Sequence, residues 1–465
     1  MFSDKTKYIT IYLGLLSIFF TVSCKKLISV DSPINQLGSD VVYNSDANAI
    51  SAITGLYSSM SANATSFVGS GTTIFCGLSS DELHNSSSIT YDDFFNNTLS
   101  SSTSALDLNI WTPAYNYIYQ ANSIIAGVDH SKTLGSSTRS QVKGEALLIR
   151  AFCYFYLVNF FGDVPLVLST DYQSNAMLVR SPSSKIYEQI TEDLQVSQQL
   201  LTVTYPGGNR GRINLYTATA FLARVYLYQK DWNNAETQSS SVINSSAYSL
   251  VSNPDSVFLS ASKEAIWQLI PVPATANTTE GTNFIPGSNT VPNYELTGAL
   301  LKSFPASDKR KQRWTKTISL AGNSFTYPFK YKARTAAGVA VSEYYVMMRL
   351  AEQYLIRAEA KAQKNNLNSA IQDVDKIRQR AGITLLSIIT PNISQKALID
   401  SIALERKREF FAEWGHRWFD LKRTDQAHSI LGTIKPDWQS TDTLYPIPKP
   451  QMLLNSNLVQ NPGYN

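Results

Sequence analysis

Two stretches of this sequence carry the same helix-pairing code, and they constrain the fold more than any other feature. In the first, over 222–235, Leu222 and Ala223 form the large–small pair expected where two helices touch. Tyr226 is placed to fill the groove between them, Asp231-Trp232 to make the turn, and Ala235 to let the second helix approach closely. A weaker copy runs through Ala358, Ala360, Asn366-Leu367 and Ala370-Ile371, 135 residues further on. Pairs of this kind bury one face only and must stack on neighbours, giving a right-handed superhelix. The wide separation predicts an array interrupted by an insertion.

The rest of the chain divides accordingly. Ser45 can cap a helix in which Ala49, Ile53, Leu56, Tyr57 and Met60 share a face. Residues 61–104 turn rich in Ser, Thr, Asn and Gly and read as a long loop. Helices are expected over 106–128 and 141–161, the latter stopped by Gly162-Asp163-Val164-Pro165, then from Ser181-Pro182 to about 201, and as a pair at 213–230 and 232–245. Residues 250–340 are studded with prolines around one strand at 264–270, and helices return at 343–364, 367–381 and 392–413. The expected fold is therefore mostly all-α: a tetratricopeptide-like helical superhelix with an inserted loop-rich, irregular lobe containing a little β. As one domain over 41–465, the scaffold covers about 41–60, 105–250 and 343–465, and the lobe about 61–104 and 250–342.

Lys5 and Lys7 precede an apolar run from Ile9 to Val22 that ends at Ser23-Cys24. This predicts a signal peptide over 1–23, lipidation of Cys24, and a polar tether over 24–40. Cys153 sits in an apolar helical stretch and reads as a small buried hydrophobe. Whether it pairs with Cys76 stays open, since two cysteines are no framework. A net charge of +4 without a basic, aromatic-interleaved stripe excludes nucleic acid as a partner.

No catalytic motif for zinc, serine, phosphate or redox chemistry occurs, so no enzyme is expected. Asp81-Glu82-Leu83-His84 offers three possible ligands but needs partners elsewhere, and no metal site is assigned. No cofactor is expected, and structural Ca²⁺ has no twelve-residue loop to support it. Glu405–Arg423 mixes carboxylates, arginines and His416, and reads as scaffold: ion-paired helix, then Trp418 and Phe419 packing inward. The basic run Asp308–Arg313 reads as a solvated turn able to meet an acidic ligand. Sugar rings are held by flat aromatic faces and short polar side chains. Aromatics in irregular segments are the candidates: Tyr91, Phe94, Phe95, Tyr294, Trp314 and Tyr327, with Asp81, Asn85 and Asn293 as polar partners. Trp111, at a helix start, reads equally well as core.

Five segments together are similar to the SusD/RagB family of outer-membrane lipoproteins: 150–166, 223–227, 349–360, 405–423, and the tail from Leu444 through Tyr464. The resemblance spans nearly the whole chain. It implies non-catalytic glycan binding at the cell surface and delivery to a TonB-dependent, SusC-like transporter, over which the lipid-anchored protein acts as a lid. Peptide capture is the alternative within the same scaffold, and a surface hydrolase a more distant one. The family's binding regions favour Asp81, Trp111, Tyr294 and Trp314, with Tyr91 kept beside them. The implied location is the outer membrane, lipid-anchored and facing outside, although Lys25 and Lys26 stand where the family often has acidic residues.

Overall fold

The computed structural model describes residues 42–87, 89–272, 277–334 and 341–464. Cys24, the signal segment and the tether lie outside the described residues.

Ten helices carry the scaffold: α1 (Asp46–Ala62), α2 (Thr112–His130), α3 (Ser136–Phe161), α4 (Ser183–Leu200), α5 (Leu215–Tyr228), α6 (Trp232–Ile243), α7 (Leu350–Gln363), α8 (Leu367–Ala381), α9 (Gln395–Phe410) and α10 (His416–Arg423). The expected start signals operate. Ser45 accepts the Asn48 N–H, and α1 buries Ala49, Ile53, Leu56, Tyr57 and Met60. Asp231 caps α6 through the Asn234 N–H, and Ala235 is buried where α6 meets α5. Consecutive helices α2 to α6 pack on one another, α6 packs directly on α7, and α7 on α8 and α9. The stack is thus continuous in space although residues 244–349 intervene in sequence. The mostly helical, tetratricopeptide-like superhelix is the observed architecture.

Helix α9 ends at Phe410, three residues before its expected end. Ala412, Trp414 and Gly415 have φ of 48°, 50° and 69°, so the chain turns sharply before α10. At Gly415 a Cβ would come within 2.5 Å of Cys76 Sγ, a clash that excludes side chains there. Cys76 and Cys153 are both free and buried.

The expected loop over 61–104 proves partly core. Residues Phe67–Gly71 form a wide helical turn that continues into a helix at Thr72–Ser79, and every one of these residues is buried. The apolar set Phe67, Val68, Ile74, Phe75 and Leu78 drives this burial. Its Gly and Ser spacers, which suggested a loop, leave backbone and neighbours room to touch.

The lobe holds more strand than expected. Strands β1 (Leu83–Asn85) and β3 (Tyr294–Leu296) pair antiparallel, β4 (Thr315–Leu320) and β5 (Asn323–Pro328) form a hairpin, and β2 (Ala265–Leu269) pairs with β6 (Tyr345–Arg349). The β2–β6 pair closes the insertion by joining its entry to its exit.

A buried ion network fastens lobe to scaffold at that closure. Arg349 donates to Glu264, Glu409 and Glu413; Arg380 to Glu264 and Glu409; Arg310 to Asp308 and Glu409, with Glu405 2.6 Å away. Arg378 reaches Glu405 and Lys330 reaches Glu413. Five cations meet five carboxylates, so the cluster is neutral where water is excluded. Burial alone would raise the Glu409 pKa, but Arg380, Arg349 and Arg310 hold it well below the carboxylate range. Trp314 lies beside the cluster, its ring 4.7 Å from Lys330 Nζ and its indole N–H donating to the Pro254 carbonyl.

Candidate functional site

The β1–β3 pair organises the site. Two-residue alternation turns Leu83 and Leu296 inward and leaves the cross-strand pair His84 and Glu295 on the outer side, with His84 Nδ1 3.3 Å from Glu295 Oε1. The chain then runs into a short helix, Asp92–Asn96. Phe94 anchors it, stacked on Phe75 at 4.5 Å with no exposed surface. Phe95 remains half-buried, edge-on to His84 at 4.9 Å, and Tyr91 half-buried, edge-on to Phe75 at 5.0 Å.

Short polar side chains surround these rings. Asn85 donates to Asp92, Ser87 to the Asn293 side chain, and the Ser86 N–H to the Asn293 carbonyl. Asn85 Oδ1 and Ser86 Oγ are buried without a protein partner. The corner therefore combines two ring edges, two amides, the three carboxylates of Asp92, Asp93 and Glu295, and an outlying apolar residue, Ile89, 84% exposed.

Beneath it lies a rigid base. Asp81 is enclosed between Lys407 (2.6 Å) and Arg417 (2.7 Å); burial would raise its pKa, but the two cations pull it well down. The carbonyls of Asp81 and Glu82 accept the Thr297 hydroxyl and N–H, tying β1 to the segment after β3. Glu82 is pushed up to about 8 by burial and by the adjacent Asp81 charge. Lys435 donates to the carbonyls of Leu78 (2.5 Å) and Phe95 (2.7 Å), closing two helix ends with one ammonium. Burial lowers the Lys435 pKa to about 7.

The sequence candidates separate sharply in space. Tyr91, Phe95, Asn85 and Asn293 meet at the corner; Tyr294 lies just under it, buried against Phe284. Asp81 is a base residue whose carboxylate is committed to Lys407 and Arg417. Trp314 is not in a loop: it ends the short helix Lys309–Trp314, fully buried beside the ion network. The expected solvated turn at 308–313 is corrected likewise, since Asp308 and Arg310 are wholly enclosed network members. Tyr327 is buried on β5. His84, a possible metal ligand by sequence, instead faces Glu295; Glu295 and Lys435 are not among the sequence candidates, and the alternation Leu83-His84-Asn85 against Tyr294-Glu295-Leu296 is the available signal for Glu295.

Trp111 belongs to a second surface. The loop over 168–179 and the C-terminal segment are joined by Asn455 and Asn457, whose amides donate to the Leu178 and Met177 carbonyls. Leu168, Tyr172, Met177, Val179, Leu453, Leu454 and Val459 are all exposed there. Beside them a cavity of about 310 Å³ is floored by Trp111 and Tyr115 and walled by Leu454 and Leu458. Clustered apolar exposure of this kind marks an interaction surface.

Asp81 and Glu82 face inward, and Glu280, pushed up to about 8 by burial, accepts the Thr73 and Tyr345 hydroxyls in the core. Among the described residues no three metal-type ligands converge.

Comparison with known proteins places the whole chain. One family model, the SusD family, matches residues 202–464, and another, described as starch-binding associating with outer membrane, matches 34–227. "SusD-like protein P25" of Formosa agariphila is 24% identical, with 99% of each chain covered. A SusD superfamily protein from Bacteroides vulgatus has the same fold, with a TM-score of 0.80 at 22% identity over 90% of this chain and 99% of that one. A laminarin-binding SusD-like protein superposes with a TM-score of 0.75 at 22% identity, covering 90% and 99%. The two family models together span 34–464, the described helical stack and lobe share the fold of these structures, and the chain belongs to the SusD family.

Proposed function

We propose that this protein is a non-catalytic surface receptor that holds glycan chains at the β1–β3 corner and passes them to a TonB-dependent, SusC-like transporter. The observation that carries this reading is the corner itself. Tyr91 and Phe95 offer apolar ring surface, while Asn85, Asn293, Asp92 and Glu295 offer hydrogen-bond partners for hydroxyls. A shallow, open corner suits a long polymer better than a small molecule. The laminarin-binding relative of like fold supports the same class of ligand. The exposed apolar face around Tyr172 and Leu454 supports docking on a membrane-embedded partner, with Cys24 as the lipid anchor.

Affinity electrophoresis in polysaccharide gels tests the proposal. Retardation by a glycan, weakened by Tyr91→Ala with Phe95→Ala and without release of reducing ends, is expected. Peptide co-purification with no retardation by any glycan would replace it with peptide capture. Reducing-end release by the purified protein would make it a hydrolase.

A further inference from the structure

We infer that the corner selects uncharged glycans and turns away those bearing sulfate or uronate groups. This rests on the receptor reading above. The ionisable side chains there are His84, Asp92, Asp93 and Glu295. Three are carboxylates, and the imidazole is committed to one of them, Glu295. The neighbouring loop 286–293 carries no charge at all.

Recognition of sulfate or carboxylate calls for a guanidinium fork or an ammonium with free donors. The cations beneath the corner cannot supply one. Lys407 and Arg417 are bound to Asp81 beneath β1, and Lys435 is enclosed with its ammonium on two main-chain carbonyls. An anionic sugar would thus enter facing Asp92, Asp93 and Glu295, with Lys407, Arg417 and Lys435 already occupied. A neutral sugar meets the opposite situation. Asp92 uses one oxygen on the Asn85 amide, and Asp93 one on the Thr103 hydroxyl. A carboxylate has lone pairs to spare, and these accept from sugar hydroxyls, as do Asn85 Oδ1 and Ser86 Oγ.

The lobe does hold exposed cations: Lys302 on the short helix after β3, and Arg334, whose Nε donates to the Ile285 carbonyl. Lys309, Arg313 and Lys316 lie on the short helix before β4 and on β4 itself. β5 lies between β4 and β3, because it pairs with β4 and packs on β3. Lys316 is turned over the Phe329 ring, and Arg313 towards Asp255. An acidic polymer would be drawn to that side, away from Tyr91 and Phe95.

The test is affinity electrophoresis of the purified protein against two panels, neutral (laminarin, starch, xylan, mannan) and acidic (alginate, polygalacturonate, carrageenan), at low and high salt. Retardation by a neutral polymer, unchanged by salt and at least roughly fivefold stronger than by any acidic one, is expected, each like-charge contact being worth about that factor. Asp93→Lys should then narrow the gap by raising acidic affinity, while neutral affinity falls as one acceptor for sugar hydroxyls is lost. Equal or stronger retardation by an acidic polymer, lost on Tyr91→Ala, would overturn the selectivity and leave the receptor reading intact. Acidic binding that survives Tyr91→Ala but fails on Lys316→Glu would move the acidic ligand to β4 and uphold the selectivity of the corner. No retardation by either panel would overturn both readings.

Discussion

The lobe–scaffold junction and the loop corner are both dense in carboxylates, yet only the junction has cations to match. At the junction, Glu264, Asp308, Glu405, Glu409 and Glu413 face five buried cations, charge for charge. At the corner, Asp92, Asp93 and Glu295 have only the His84 imidazole, 3.3 Å from Glu295, close by, and they stay open to solvent in part. The aromatics divide the same way. Trp314 is enclosed beside the paired charges, whereas Tyr91 and Phe95 keep ring surface exposed. A charged cluster that closes on itself is architecture; one left short of partners at the surface is available for binding.

The comparison breaks or sharpens at definite points. Glu409→Ala should have the largest effect, because it leaves Arg349, Arg380 and Arg310 short of a shared buried partner. A loss of about 3–5 kcal/mol is expected in chemical denaturation; a loss under about 1 would mean the junction is not a structural lock. Trp314→Phe should follow, losing an indole hydrogen bond and ring contact with Lys330, at about 2 kcal/mol, with glycan affinity unchanged. A large affinity loss there at full stability would return Trp314 to the binding site.

Glu82→Gln separates base from corner through pH. The folded-state pKa of Glu82, about 8, lies above its ordinary 4.5. Its contribution is therefore complete below about 4.5 and is lost as pH rises through 8. Wild-type stability should fall by about 2 kcal/mol or more across that window through this group, and the Gln variant should show a flatter profile. Identical profiles would show that Glu82 is already ionised at neutral pH. Tyr91→Ala and Phe95→Ala should each cost about 1 kcal/mol of stability or less, but roughly tenfold in glycan affinity by calorimetry. Lys396→Ala, at an exposed pair with Asp400, should change stability by no more than about 0.5 kcal/mol.

Much of the corner was legible because surface polarity is local. Tyr91, Asn85, Phe95 and Asn293 were picked out as aromatics and amides in irregular segments, and they converge. Trp314 and the basic run before it satisfied the same rule and were misplaced, because their partners lie far away in sequence: Glu405 and Glu409 for Arg310, Pro254 for the indole. A lone Arg in a short turn carries no mark of whether a carboxylate awaits it. The Phe67–Ser79 core helix was hidden by the opposite error, its Gly and Ser read as loop when they serve as close-packing spacers.

By itself, then, the sequence determined the helical array, its interruption and the family, because helix pairing and capping are written in residues three to seven positions apart. Only the tertiary structure decided which charges and rings face water. Burial depends on what the rest of the chain brings alongside, and here that neighbour is often a hundred residues away.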